Sequence, residues 1–149
     1  MSSEDKIREG AQPFLHSGEH VLAAFVARPR GWTQTHAGSI HVGVTQQSHA
    51  REGAAAAGFA LASPMALAIT QYRLLSFSMG AQVGMGVGGG VKELVGQAPL
   101  ADVGSLTTKR LLLGKVIEIS VRGESFKLEV GAGANTKGVV EAYNTARSG

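Results

Sequence analysis

Four basic side chains could together bind an anionic group. Arg28 and Arg30 flank a proline at the end of a predicted strand, and Lys109 and Arg110 are the only adjacent cations in the chain. Arginine and lysine are the side chains that hold phosphates and anionic lipid headgroups. If the end of the first strand lies beside the bend that precedes the last hairpin, the four form one basic rim for such a ligand. Otherwise they are solvated strand-end charges, which are common on small sheets.

Histidines could bind a metal if the fold placed them on one face. His36, His41 and His49 lie within fourteen residues, but a glycine separates the first two and a predicted boundary precedes the third. A metal site needs ligands on one face and a further carboxylate or histidine to complete the coordination sphere. We therefore predict exposed loop histidines and no metal site.

The strands carry serines and two carboxylates, which are residue types of hydrolytic chemistry. Serines such as Ser120 lack the G-x-S-x-G turn that exposes a nucleophile. Glu118 and Glu129 are interpreted as ion-pair partners on the wet face of a hairpin. Their expected partners there are Lys115, Arg122 and Lys127. We predict no catalytic residues and no enzyme activity.

A glycine-rich stretch, residues 80–90, contains one formal nucleotide-binding pattern. Residues 84–89 match G-x-G-x-x-G, but that fingerprint requires the glycines to open a helix whose N-terminus meets the pyrophosphate. Residues 91–95 read as a short strand before Gly96 and Pro99. The stretch is therefore predicted to be a flexible loop, and no cofactor is expected.

Composition narrows the class of protein further. The 149 residues include no cysteine, which is compatible with a reducing cytoplasm. The net charge of +3 is spread along the chain and aromatic residues are few, so nucleic acid is not an expected partner. The polar start cannot be a secretory signal, and the uncharged run 53–72 is too rich in Ala and Gly to span a membrane. We expect a cytoplasmic protein that is not transmembrane.

The elements that must position these side chains follow from hydrophobic periodicity. The last strand alternates strictly, with Phe126, Leu128 and Val130 on one face, and the helix after it repeats apolar residues at Val139 and Tyr143. The first strand is apolar on both faces and should be largely buried. The predicted strands are 19–28, 65–70, 74–79, 91–95, 101–106, 111–122 and 125–130; the bend before the closing hairpin is 107–110; the predicted helices are 1–16, 46–61 and 135 onward.

Seven closely spaced strands predict a mainly β (α+β) protein with antiparallel strands in a bent barrel or two packed sheets. A C-terminal helix should cap it, an N-terminal helix should precede it, and an inserted loop and Ala-rich helix should occupy residues 31–62. We expect one domain over residues 1–149.

The sequence also resembles a known family. Residues 65–75, MALAITQYRLL, resemble the strand-turn-strand signature of bacterial pleckstrin-homology-like domains, which are related in shape to PH and GRAM domains. Similar likenesses occur at AQPFL (11–15), GEHVL (18–22), KEL (92–94) and PLADV (99–103). The resemblance implies a bent seven-stranded barrel closed by a C-terminal helix, and it implies no catalytic residues. Eukaryotic relatives often bind phosphoinositides near the place that Arg28 and Arg30 occupy.

These observations favour a non-enzymatic PH-like binding module. Its partner would be another protein or a second copy of the chain, docking on exposed strand edges or on the Ala-rich helix. The alternative is a peripheral membrane adaptor that binds anionic lipid headgroups through the basic rim Arg28, Arg30, Lys109 and Arg110. A third hypothesis is an enzyme that folds the glycine loop over a nucleotide.

Overall fold

The computed structural model describes residues 3–29, 53–61, 65–80, 90–111, 114–131 and 134–148. Two α-helices and seven strands span most of them. The helices are α1 (Ser3–Ala11) and α2 (Thr136–Ser148); the strands are β1 (Val21–Pro29), β2 (Met65–Thr70), β3 (Arg73–Met79), β4 (Val91–Pro99), β5 (Val103–Leu111), β6 (Gly114–Val121) and β7 (Glu124–Val130). Short 3₁₀ turns follow α1 and β4 at Gln12–Phe14 and Leu100–Asp102.

The strands form one antiparallel sheet in the order β4-β3-β2-β1-β7-β6-β5. The two outer strands, β4 and β5, do not pair with each other, so the sheet is not closed into a barrel. The prediction of a seven-stranded antiparallel architecture with helices at both ends is confirmed. Local hairpins explain most of the order, because β2-β3, β3-β4, β5-β6 and β6-β7 are neighbours in both sequence and sheet.

Both halves of the sheet contribute side chains to one core. Phe25 and Leu67 come from one half, Ile117 and Leu128 from the other, and all four are at most 2% exposed. The C-terminal helix α2 covers this core with the apolar stripe that its sequence predicts, Val139 and Tyr143 foremost. The sheet thus wraps around a shared interior that the helix fills.

A second apolar cluster lies on the opposite face of β1, β2 and β3. Ile7 and Ala11 of α1 pack there against Ala24, Ala66 and Phe77. These strands are therefore covered on both faces, and every residue of β2 is buried. This confirms that β1, apolar on both sides in sequence, lies largely inside the protein.

Helix α1 also bonds to the free edge of β1. In the described part of the chain, β1 pairs with β7 at 27–29, and its earlier residues have a strand neighbour on the β2 side alone. The Glu4 carboxylate accepts a hydrogen bond from the Ala24 amide at 3.0 Å. The Arg8 guanidinium donates to the carbonyls of Val21 and Leu22 at 3.3 and 2.8 Å. Two side chains of α1 thus satisfy backbone groups that a neighbouring strand would otherwise pair.

Several strand boundaries differ from the sequence prediction. Residues 107–110, predicted as a bend, lie inside β5, which runs to Leu111, and the long strand predicted over 111–122 begins only at Gly114. Gly114 has a φ of +143°, which an L side chain rarely adopts. Strand β4 also continues to Pro99, four residues beyond the predicted end at 95. Proline is tolerated there because β4 is an edge strand.

The predicted inserted helix is described only in part. Residues 53–56 form a single helical turn, and Phe59 then makes an isolated antiparallel bridge to Gly96 of β4. A left-handed Gly58, with φ +74°, ends the turn. Residues 57–61 were also predicted as helix, and this is wrong, because they form the turn, the bridge and the irregular stretch after it. Residues 46–52 of that prediction, and residues 81–89 of the predicted glycine loop, lie outside the described residues.

Candidate functional site

The structure places Arg28 and Lys109 on one face of the sheet. Arg28 lies opposite Glu129 of β7, Glu129 opposite Val116 of β6, and Val116 opposite Lys109 of β5. Directly opposed residues of antiparallel strands share a face. Three strand spacings, about 14 Å along the sheet, therefore separate the two cations of this row.

Arg110 belongs to the other face. It lies opposite Lys115, which lies opposite Val130, which lies opposite Ala27. Ala27 and Val130 belong to the core that α2 covers. Arg110 is thus on the α2 side of the sheet, whereas Arg28 is on the far side, and Arg30 lies outside the described residues.

A groove of about 410 Å³ opens where the ends of β5 and β6 meet the first turns of α2. Both Lys109 and Arg110 line it, although they lie on opposite faces of β5, which has no further strand beside it among the described strands. The described residues that line the groove are four cations, two threonines, one aliphatic side chain and one acid: Lys109, Arg110, Lys115, Lys137, Thr108, Thr136, Val140 and Glu141. Its lining is therefore strongly basic.

Capping contacts fix the α2 wall of the groove. The Asn135 side-chain oxygen accepts a hydrogen bond from the Gly138 amide at 3.0 Å, which caps the helix N-terminus. Thr136 is buried, and its hydroxyl lies 3.4 Å from the Lys115 ammonium. The same ammonium is 3.5 Å from the carbonyl of Ala134. The start of α2 and the start of β6 are thereby held together.

Two of the four groove cations were not predicted as site residues. Lys115 was assigned to cross-strand ion pairs on the wet face, but it lies on the α2 side of the sheet. Glu118 does lie opposite Lys127, as expected for a cross-strand pair. Lys137 lies in the first turn of α2 and carried no signal of its own. Strand alternation could have placed Lys115 with Arg110, had the β5-β6 register been known.

The outer edge of β5 is a second candidate surface. Its residues 107–110, Thr-Thr-Lys-Arg, are all exposed. The opposite edge of the sheet, β4, is partly covered, because Phe59 bridges to Gly96 and Gly10 of α1 lies against Val91. Of the two edges, β5 is therefore the more accessible along its last half.

The other candidate residues from the sequence form no further site among the described residues. His36, His41, His49 and residues 84–89 lie outside the described residues. Within the described ranges, no three His, Asp or Glu side chains are grouped to hold a metal ion. The buried Ser76 hydroxyl donates to the Ala60 carbonyl at 2.8 Å. No helix in the described part of the chain is long and apolar enough to cross a membrane.

No protein-family model and no curated protein matches the chain. Two solved structures are similar to it over 97% of each chain, both with a TM-score of 0.49. One is a DUF1696 family protein with a pleckstrin-homology domain from Shewanella loihica PV-4, 10% identical in sequence; the other is a pleckstrin homology domain from Shewanella amazonensis SB2B, 13% identical.

The seven-stranded antiparallel sheet with a helix at each end is the architecture predicted from the sequence. Both solved structures are of proteins with a pleckstrin-homology domain, the group that residues 65–75 resemble. What this chain does depends on its own edge strand and groove.

Proposed function

We propose that this chain is a non-enzymatic interaction module that self-associates by pairing the outer edges of two β5 strands. The observation that carries the proposal is the exposed end of β5, at the open side of a seven-stranded sheet. An edge strand presents backbone amides and carbonyls that can pair with another strand. Pairing between identical edges about a two-fold axis buries the same surface on both copies.

The charge pattern of β5 is compatible with antiparallel pairing. If two copies of Val103–Leu111 overlap fully, Thr107 lies on the two-fold axis, Lys109 faces Ser105 of the other copy, and Arg110 faces Gly104. No cation then lies directly opposite another. Parallel pairing would place each cation opposite its own copy, and directly opposed like charges are destabilising. The geometry therefore favours the antiparallel dimer.

The surroundings of the candidate nucleophiles support a non-enzymatic role. Ser76 is buried and bonded to a carbonyl. The two described histidines, His16 and His20, are exposed, and His20 contacts the Gln71 amide at 3.2 Å. Neither histidine is recorded within hydrogen-bond distance of a serine in the described residues. Ser76 therefore has a structural hydrogen bond, and the two histidines are solvated side chains.

The test is molar mass in solution, measured by size-exclusion chromatography with light scattering over a concentration series. Thr107→Pro and Thr108→Pro form a matched pair, because successive backbone amides of a strand point to opposite edges. One variant removes an amide directed at β6 and should unfold at lower temperature. The other removes an amide directed outward and should keep its unfolding temperature but lose the dimer.

A single-chain mass at every concentration would overturn the proposal. It would mean that Lys109 and Arg110 keep this edge unpaired, which is a common use of charged residues on edge strands. A dimer whose mass is unchanged in both proline variants would also contradict it, since the interface would then lie elsewhere.

A further inference from the structure

We propose that the groove between β5, β6 and α2 binds a phosphate group, carried by a small molecule or by a lipid headgroup. This site differs from the β5 edge in the groups it uses, because edge pairing needs backbone amides and carbonyls, whereas the groove offers side chains. Arg110, Lys115 and Lys137 lie on the α2 side, and Lys109 lines the groove from the edge of the sheet. Edge pairing and phosphate binding can therefore fail separately.

The first argument is charge. Among the described residues, four cations and one carboxylate line a concavity of about 410 Å³. Lys137 and Glu141 are 4.0 Å apart and largely exposed, so this contact neutralises little of the charge. Within the described residues, no ion pair is recorded for Lys109, Arg110 or Lys115. Positive charges collected in a concave surface raise the local concentration of anions.

The second argument is the kind of donor that each wall supplies. Arg110 offers a planar fork of N–H groups, which matches two oxygens of one phosphate. The three lysines add compact ammonium charges, and the exposed Thr108 adds a hydroxyl group, whereas the buried Thr136 hydroxyl contacts the Lys115 ammonium. A phosphate monoester carries up to two negative charges and three acceptor oxygens, so it can engage donors from several walls at once. A single carboxylate has two oxygens and one charge and would leave part of this set unmatched.

The third argument is access. The volume lies at the small end of the range for small-molecule sites. Lys109 and Arg110 are exposed at the edge of the sheet, and Lys137 is 87% exposed on the first turn of α2. A phosphate can therefore reach these three cations from solvent or on a headgroup that projects from a bilayer.

The experiment has a soluble arm and a membrane arm. In the first, inorganic phosphate is titrated into the labelled protein at constant ionic strength, with chloride as the reference anion, and amide shifts are followed by NMR. We expect shifts confined to residues 108–111, 114–116 and 136–141. In the second arm, the protein is sedimented with phosphatidylcholine vesicles that contain phosphatidic acid, whose headgroup is a phosphate monoester, or phosphatidylserine as the matched anionic control.

Charge reversals in the groove decide the outcome. Arg110→Glu and Lys137→Glu should each weaken binding about tenfold or more, since each removes a charge-assisted contact. Lys92→Glu on β4 makes the same change in net charge at the far edge of the sheet and should leave binding unchanged. The unfolding temperature of each variant shows whether it is folded. If Lys137→Glu is not folded, Lys137→Gln removes the same charge at an exposed position with a smaller change.

Each result has a defined meaning. Groove-dependent binding of free phosphate without vesicle sedimentation identifies a soluble ligand, and groove-dependent sedimentation with phosphatidic acid identifies a lipid. Either result supports the site. The site would be overturned if phosphate shifted the amide signals no more than chloride does and the protein did not sediment with vesicles. It would also be overturned if Lys92→Glu weakened binding as much as Arg110→Glu. In the last case net charge alone would explain the affinity.

Discussion

The carboxylate of Glu19 accepts two hydrogen bonds from the guanidinium of Arg73, at 2.9 and 2.8 Å, although 54 residues separate them in sequence. Both side chains are buried: that of Glu19 is 0% exposed and that of Arg73 is 9% exposed. The Thr70 hydroxyl also donates to Glu19 at 2.7 Å, and Arg73 donates to the side-chain oxygen of Gln97 at 2.6 Å. This ion pair joins the segment before β1 to the β2-β3 turn and to β4.

Breaking this pair should destabilise the protein strongly. Arg73→Met leaves the Glu19 carboxylate buried without its cation, and we expect a loss of about 3–5 kcal/mol in the free energy of unfolding. The control is the double variant Glu19→Gln with Arg73→Met, which removes both charges and should lose less. Urea denaturation measures both. An equal loss in the two variants would show that packing, and not the unpaired charge, accounts for the effect.

The same pair predicts how stability depends on pH. Hydrogen bonds from Arg73 lower the pKa of Glu19 from 4.5 to about 2, outweighing the effect of burial. A carboxyl whose pKa is lower in the folded state stabilises the fold above its unfolded value, and this contribution is lost as the pH falls. We expect about 3 kcal/mol to disappear between roughly pH 4.5 and pH 2. Glu19→Gln should flatten that part of the stability curve, and an unchanged slope would contradict the assignment.

Glu4 should hold α1 against the edge of β1 that has no strand partner before residue 27 in the described part of the chain. Burial alone would raise its pKa, but hydrogen bonds from Asn135 and the Ala24 amide, together with Arg8, lower the pKa overall. Glu4→Ala should cost about 1–3 kcal/mol, because the buried backbone loses its acceptor. Hydrogen exchange at Ala24 should speed up selectively. Glu9→Ala, on the exposed side of the same helix, is the matched control and should leave that exchange rate unchanged.

The Tyr143 hydroxyl should fix α2 to the start of β5. It donates a hydrogen bond to the Val103 carbonyl at 2.5 Å, inside the core. Tyr143→Phe keeps the ring and removes only this donor, so we expect a loss of about 1–2 kcal/mol on thermal or urea unfolding. Full stability in the phenylalanine variant would mean that ring packing alone holds the helix.

Gly96 should be required for the inserted segment to dock on β4. A Cβ at this position would lie 2.8 Å from the Ala60 carbonyl oxygen and 2.6 Å from the Ser76 hydroxyl. Gly96→Ala should therefore displace residues 59–61 and speed up hydrogen exchange there. Gly104→Ala on β5 is the matched control, since its Cβ would meet nothing closer than 3.6 Å. Equal hydrogen-exchange rates at residues 59–61 in the two variants would show that this segment accommodates the added methyl group without loss of local stability.

Local patterns predicted most of the strands and the faces they bury. Alternation in β7 placed Phe126 and Leu128 in the core, and the apolar stripe of α2 placed Val139 there. Boundaries were less well predicted where no turn residue marks them. Thr107 to Arg110 look polar enough for a bend, yet they continue β5, because an edge strand can expose both faces and its ladder to β6 supplies the pairing.

The sequence by itself determined which residues share a face within each strand or helix, because side-chain direction follows the local backbone period. It could not determine which basic residues meet. Arg28 and Arg110 are separated by the sheet, whereas Lys115 and Lys137 join Arg110 in the groove. That grouping depends on the register of β5 on β6 and on where α2 seats on the core. Both are decided by packing between residues far apart in the chain, which only the tertiary structure contains.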